Sequence, residues 1–401
     1  RRLCFGTNQK QIMGFSSIEF RNFEKKKDNS KIKKKFSKLL ESYSKGNNQI
    51  LLSLSNKYKY KFKFQSISKY KKFKYFIIFG MGGSSLGAEA IYSFLNRKIK
   101  KKFQFINDIN LSDNKDSKDK KLNIIISKSG NTLETLTNLN SKKVKNNCLF
   151  ITEDRKSYLR TLAFKLKSEI IDHNNFIGGR YSVLSETGMI PAFFMGLDPN
   201  KFKRFDSLIS SNKFINYLTY NVSSIFSFNN KKKYNSIILN YDEKSNSLFY
   251  WYQQLVAESL GKSSKGILPI ISSVPKDNHG LMQLYLDGFK KNFFTFFFVK
   301  DDSSKKIDNK SLLASHNYLK NKKMSEILYA QFRATQNVFS KRKIPFRSFV
   351  IKKRDERTLG ELFAFFILET ILLAEALKIN PYDQPAVELI KTDTFKILKK
   401  S

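Results

Sequence analysis

Cysteine is almost missing from the 401 residues: Cys4 and Cys148 are the only two. They make no CxxC pair and no disulfide framework, so a reducing compartment is expected. Proline (7) and glycine (17) are scarce too, which excludes collagen-like and linker-dominated architectures. The three histidines, His173, His279 and His316, lie far apart and belong to no HExxH, HxH or Cys/His cluster. No metal and no cofactor is expected. No GxSxG elbow occurs, which disfavours a Ser-His-Asp hydrolase. The most apolar run, Leu362 to Leu377, is broken by Glu369 and Glu375, whereas a membrane span needs about 20 nearly charge-free residues. Arg1 to Gly6 lack the apolar core of a secretory signal. The expectation is a cytoplasmic protein without membrane contact, with Met13 a candidate start and residues 1–12 an upstream extension.

What is abundant is positive charge. Lys plus Arg number 74 against 34 Asp plus Glu, a net charge of +40. Clustered, such charge would suggest nucleic acid or an anionic membrane. Here lysine runs occur in every region, as in Lys33-Lys34-Lys35 and Lys231-Lys232-Lys233, alongside 38 Phe and 18 Tyr. That joint enrichment looks like AT-rich codon usage, and no nucleic-acid partner is expected. Hydrophobic residues make up 41% of the chain, enough for sizeable cores, and the length suits two or three domains.

Residues 13–57 read as helical, with Ile32, Phe36, Leu39, Leu40 and Tyr43 forming one apolar stripe. Tyr75–Phe79 is a short all-apolar run, as expected of a parallel strand buried on both faces. It leads into Gly80-Met81-Gly82-Gly83-Ser84-Ser85 and then a helix from Leu86. Further strands are expected at 103–106, 122–126, 148–151, 234–241, 293–299 and 348–351, with helices between several of them. A long apolar helix over 359–377 follows. Alternating strands and helices predict an α/β protein with parallel sheets.

Two of its strand-to-helix turns carry chemistry. Gly80–Gly87 fits neither the Rossmann fingerprint, where Ser85 stands in place of Gly, nor the P-loop, where Ala88 stands in place of Lys. What remains is a turn of free backbone N–H groups and hydroxyls at a helix start, which suits an anion. Ser127-Lys128-Ser129-Gly130-Asn131-Thr132 is a second such turn. Helix N-capping is the simpler reading of each one alone. Both lie at carboxyl ends of strands, where open α/β sheets bind ligands, and together they point to a phosphate on a small molecule.

Six segments, in order and spacing, resemble the glucose-6-phosphate isomerase family of bacterial type. They are Gly80–Gly87, Ser127–Thr135, Gly178-Gly179-Arg180-Tyr181-Ser182, Gln254–Lys262, Asp277-Asn278-His279-Gly280 and Tyr382–Lys391. The similarity runs from about residue 70 to the C-terminus. It implies two SIS-type three-layer α/β/α sandwiches, with a helical segment over 1–57, domains over 58–205 and 206–355, and a helical segment over 356–401. It also implies a homodimer with the active site near the subunit interface, acting on a phosphosugar without metal or nucleotide. By position, Gly83, Ser84, Ser127, Lys128, Ser129 and Thr132 match the phosphate-binding groups. Glu258 matches the catalytic carboxylate, and Arg180 the arginine near the enediolate. His279 and Lys391 match the ring-opening pair, and Gln254 and Gln384 flanking polar contacts. Asn131 stands where Thr is common, and Gly280 where Ser is frequent.

The implied reaction moves a proton between adjacent carbons, which one carboxylate can do. A guanidinium beside the developing oxyanion stabilises it, and histidine suits proton transfer at the ring oxygen. Two alternatives stay open: a non-catalytic SIS-type phosphosugar sensor, and a broader isomerase that also accepts mannose 6-phosphate.

Overall fold

The computed structural model describes residues 15–24, 28–109, 120–301 and 303–400. The candidate start at Met13 and most of the charged connection over 107–121 lie outside the described residues.

Among the described residues ten strands form two five-stranded sheets. They are β1 (Ile18–Arg21), β2 (Tyr75–Phe79), β3 (Lys102–Ile106), β4 (Lys121–Ile126), β5 (Cys148–Thr152), β6 (Glu169–Asp172), β7 (Asn235–Asn240), β8 (Leu268–Ser273), β9 (Asn292–Val299) and β10 (Phe346–Ile351). The first sheet, ordered β3-β2-β4-β5-β6, is wholly parallel. The second runs β1-β10-β9-β7-β8 and is parallel except for β1. The central strands β4, β5 and β9 are buried almost throughout, as parallel strands covered on both faces must be.

The expected α/β architecture is present, with differences at the sheet edges. The segment read as helical opens with β1, where buried Ile18 and Phe20 alternate with the less buried Glu19 and Arg21, a period of two. It pairs antiparallel with β10 and covers that strand's edge. The sequence reading also missed β6 and β8. β6 is four residues with acidic ends, and β8 contains Pro269, tolerated because this strand lies at an edge.

Helices fill the connections: α1 (Ser30–Ser44), α2 (Gln49–Ser53), α3 (Leu86–Phe94), α4 (Leu133–Ser141), α5 (Tyr158–Lys165), α6 (Glu186–Phe194), α7 (Phe205–Ile209), α8 (Asn212–Asn230), α9 (Asn246–Leu260), α10 (Met282–Asp287), α11 (Met324–Lys341), α12 (Glu356–Leu377) and α13 (Pro385–Lys400). The apolar helix expected over 359–377 is α12, started by the Asp355 carboxylate accepting from the Thr358 N–H at 2.9 Å. It is buried along nearly its whole length and packs against α8 and α9. Because it is covered nearly all round, it joins the residues beneath both sheets into one continuous core. One charge pair lies inside that core. Arg347 of β10 bonds to Glu369 of α12, to Asn221 of α8 and to Thr295 of β9. Burying a guanidinium is tolerable only with partners on all sides. α3 of the first sheet packs on α9 of the second, and this contact assembles the site.

Candidate active site

The Gly80–Ser85 turn leaves β2 and touches two of the other motif segments, those around Gly179 and Gln254. A Cβ on Gly82 would lie 2.6 Å from Gln254 Nε2 of α9, and one on Gly83 would lie 2.1 Å from the Gly179 carbonyl carbon. Only glycine permits that backbone approach. The turn is thus clamped between α9 and the 3₁₀ segment Gly179–Leu184. The Ser127–Thr132 turn leaves β4, the neighbouring parallel strand.

Arg180 is the centre of the cluster. Its side chain is 2% exposed, and all five N–H donors of the guanidinium find acceptors. Nε donates to Ser259 Oγ at 2.9 Å. Nη1 donates to Glu258 Oε2 at 3.0 Å and to Gln384 Oε1 at 2.7 Å. Nη2 donates to the Pro381 and Asp383 carbonyls at 2.6 and 3.1 Å. Arg180 therefore ties α9 to the loop before α13. Gln254 and Glu258, four residues apart on one helix face, are joined by a 2.8 Å bond from Gln254 Nε2 to Glu258 Oε1. Gln254 Oε1 is buried with no hydrogen-bond partner among the described residues. The Glu258 side chain is 31% exposed. The cluster thus has one solvent-reached carboxylate, one buried cation and one unused buried acceptor. α9 stops at Gly261, where a Cβ would meet the Ala257 carbonyl oxygen at 2.7 Å.

In the second turn Thr132 occupies the N-cap of α4 without a side-chain capping bond. Its hydroxyl instead shares a 2.8 Å bond with Ser127 Oγ, which weakens the capping reading and leaves the hydroxyls grouped. Ser129 Oγ accepts from Asn131 N–H at 3.2 Å. Asn131 itself accepts from Tyr158 N–H at 2.9 Å and so anchors the turn to α5. Lys128 pairs with the buried Glu153 at 3.4 Å and donates to the Asn175 carbonyl at 2.8 Å. Nearby His173 is buried; loss of hydration pushes its pKa down to about 4, with the Lys128 charge adding to the effect and its bond to the Asn174 carbonyl opposing it.

Two sequence-expected residues make no bond to this cluster among the described residues. His279 is exposed after the turn Lys276–Asn278, with no side-chain hydrogen bond or ion pair among the described residues. Lys391 lies exposed on α13, where it pairs with Glu388 at 2.6 Å. Neither is hydrogen-bonded to the Arg180–Glu258 cluster. Conversely, Ser259 and the Pro381 and Asp383 carbonyls, all of which hold Arg180, had no role in the sequence reading. Ser259 adjoins Glu258 in the motif, but nothing in the sequence marks backbone carbonyls as ligands. Among the described residues no group of His, Cys, Asp and Glu side chains could hold a metal ion, and no helix is long and apolar enough to cross a membrane.

Residues 65–273 match the family model described as phosphoglucose isomerase. Over 369 residues the chain is 31% identical to the glucose-6-phosphate isomerase of Methanocaldococcus jannaschii, covering 84% of this chain and 88% of that one. It is 34% identical to the Mycoplasmopsis synoviae protein of the same name, covering 82% and 83%. Among solved structures, a hypothetical protein from Thermus thermophilus superimposes with a TM-score of 0.80 at 21% identity, over 92% of this chain and 94% of that one. A glucose-6-phosphate isomerase from Chlamydia trachomatis does so at 0.67 and 18%, over 94% and 80%. At these identities the two structures speak for the fold alone.

Proposed function

The chain belongs to the phosphoglucose isomerase family, and from that premise we propose that Glu258 and Arg180 carry the proton transfer of its reaction. The activity is the reversible isomerisation of glucose 6-phosphate and fructose 6-phosphate, an aldose–ketose interconversion through an enediol. The substrate's phosphate is held by the N–H groups and hydroxyls of Gly83, Ser84, Ser127, Ser129 and Thr132, with Lys128 supplying charge. Glu258 takes the proton from one carbon and returns it to its neighbour. Arg180, held rigidly by its five acceptors, supplies positive potential beside the oxyanion with no reorganisation. Gln254 and Gln384 flank the reacting carbons. The observation that carries this reading is the buried guanidinium fixed 3.0 Å from a solvent-reached carboxylate, beside a glycine turn.

His279 and Lys391 serve ring opening in this proposal. That neither bonds to the cluster within one chain supports a homodimer in which the site is completed near the subunit interface. So does α13, on which no described residue is buried and Leu389, Ile390 and Phe395 are exposed. Full activity in a monomer at sedimentation equilibrium would remove that part of the proposal. The setting we propose is cytoplasmic glycolysis and gluconeogenesis. A coupled assay in both directions tests the activity itself. Binding of sugar phosphate with no turnover would replace it with a sensor role, and comparison with mannose 6-phosphate sets its breadth.

A further inference from the structure

Lys203, which follows the 3₁₀ turn Pro199–Phe202, is 5% exposed and its amine lies inside the protein. It donates to two main-chain carbonyls, Ser53 at the end of α2 and Leu184. It also sits over the rings of Tyr58 and Tyr60, 5.0 and 5.2 Å from their centroids. Glu186 on α6 faces the same pocket: its Oε1 accepts from Tyr58 OH at 2.8 Å, while its buried Oε2 has no hydrogen-bond partner among the described residues. The charged and titratable groups around the amine are therefore Glu186, Tyr58 and Tyr60. The adjacent Arg204 turns away toward Glu361. Burial pushes the Lys203 pKa down to about 7, with the Glu186 charge opposing.

Such an expensive burial has a particular address. Leu184 is the last residue of the 3₁₀ segment that begins at Gly179 and carries Arg180. The other end of that segment abuts Gly83, so it has no slack there. Ser182 adds rigidity, its hydroxyl bonding Gly179 O at 2.7 Å and Thr187 Oγ1 at 2.7 Å. A buried carbonyl must be satisfied, and Lys203 is the donor that holds this one. We propose that Lys203 is a positioning residue for Arg180: its amine fixes the far end of the Gly179–Leu184 segment against α2, and so aims the guanidinium at Glu258 and Gln384. This rests on the functional reading above. The phosphate turn Ser127–Thr132 is anchored separately, through Asn131 to Tyr158 and through the Gly130 carbonyl to Leu159 N–H at 3.0 Å. Aim and this part of the phosphate grip should therefore come apart, while the Gly83–Ser84 part stays clamped to the near end of the segment at Gly179.

The test is Lys203→Met, similar in length but without a donor. Misplacement of a catalytic group by about 1 Å costs up to about 10²-fold, so kcat should fall ten- to hundredfold per folded molecule. KM, and the Ki of inorganic phosphate used as the probe, should stay within about twofold. A double-mutant cycle with Arg180→Lys should be strongly non-additive, the pair losing little more than Arg180→Lys alone. A lysine that only stabilises the fold would lower Tm with kcat within twofold of wild type, or give losses that multiply; either result overturns the proposal. If Lys203→Met does not fold, Glu186→Gln removes the charge facing the amine. It should lower kcat at least threefold with KM unchanged, and an unchanged kcat would overturn the proposal equally. An inactive wild-type chain would bring down the functional reading and this role with it, whereas an active wild type with a normal Lys203→Met would bring down this role alone.

Discussion

Replacing Glu258 by Gln separates proton transfer from everything else the side chain does. The carboxylate receives two donors, Gln254 Nε2 at 2.8 Å and Arg180 Nη1 at 3.0 Å. An amide can accept only one of them. Its oxygen should stay with Arg180, because a charged donor makes the stronger bond, which turns the new NH₂ toward Gln254. Rotating the Gln254 amide resolves that clash by presenting Oε1, an atom with no present partner among the described residues. Arg180 keeps its four remaining acceptors. The substitution thus fits with one amide flip, and stability should fall by only about 1 kcal/mol, roughly 2 °C in Tm. Catalysis should not survive so well. Loss of a general base lowers rate by about 10²–10⁴, or about 2.7–5.4 kcal/mol of barrier at 1.36 kcal/mol per tenfold.

The assay is kcat and KM in both directions, with exchange of the C2 hydrogen against solvent. Both turnover and exchange should fall together while KM moves little, the signature of an interaction made only in the transition state. A Glu258→Gln enzyme that turns over near normally would refute the assignment of the base while leaving the family intact. Turnover lost with exchange retained would place the block after proton abstraction and would refute it too.

Three further outcomes follow from the geometry. Thr132→Ala removes a hydroxyl not used for capping, so it should raise KM by the equivalent of about 0.5–3 kcal/mol with kcat little changed; steady-state kinetics decides. Gly83→Ala forces a Cβ to 2.1 Å from the Gly179 carbonyl carbon, backbone against backbone. It should cost about 1–3 kcal/mol or more of stability and lower kcat/KM by at least about 10²-fold, whereas near-normal kinetics would mean the turn and the Arg180 segment are not locked together. The Lys203 amine binds its proton less tightly folded, at about 7, than in the unfolded chain near 10.4. The unfolded state therefore holds more protons in that window, and wild-type stability measured against Lys203→Met should rise from pH 7 toward 10. Its steepest slope is about 1.4 kcal/mol per pH unit; a flat or falling difference in denaturant titrations contradicts the burial of the amine.

The strands at the centre of each sheet were legible because a strand buried on both faces is written as a nearly unbroken apolar run, as in Tyr75–Phe79 and in Phe293–Val299, where Thr295 alone interrupts. Edge strands obey weaker rules. Ile18–Arg21 is four residues of alternation inside a lysine-rich stretch, and β8 has a proline that argues against a strand until its edge position is known. At the site, glycine turns and the Gln254–Glu258 spacing could be read directly, since both follow from local geometry. The acceptors of Arg180 could not, because two are backbone carbonyls more than 200 residues away in sequence.

The same contrast explains why the charge was uninformative. Among 74 basic residues the side-chain type says almost nothing about role, since most sit in water where a charge costs little. Burial changes that, because a cation removed from water must recover its hydration from fixed partners. Arg180, Lys203 and Arg347 are the buried basic residues among those described. Each spends its donors on a junction: Arg180 between α9 and the loop before α13, Lys203 between α2 and the Arg180 segment, Arg347 between β10, α8 and α12. In a chain saturated with lysine, Arg180 could be placed from its motif, but Lys203 and Arg347 are marked only by partners that meet once the chain has folded.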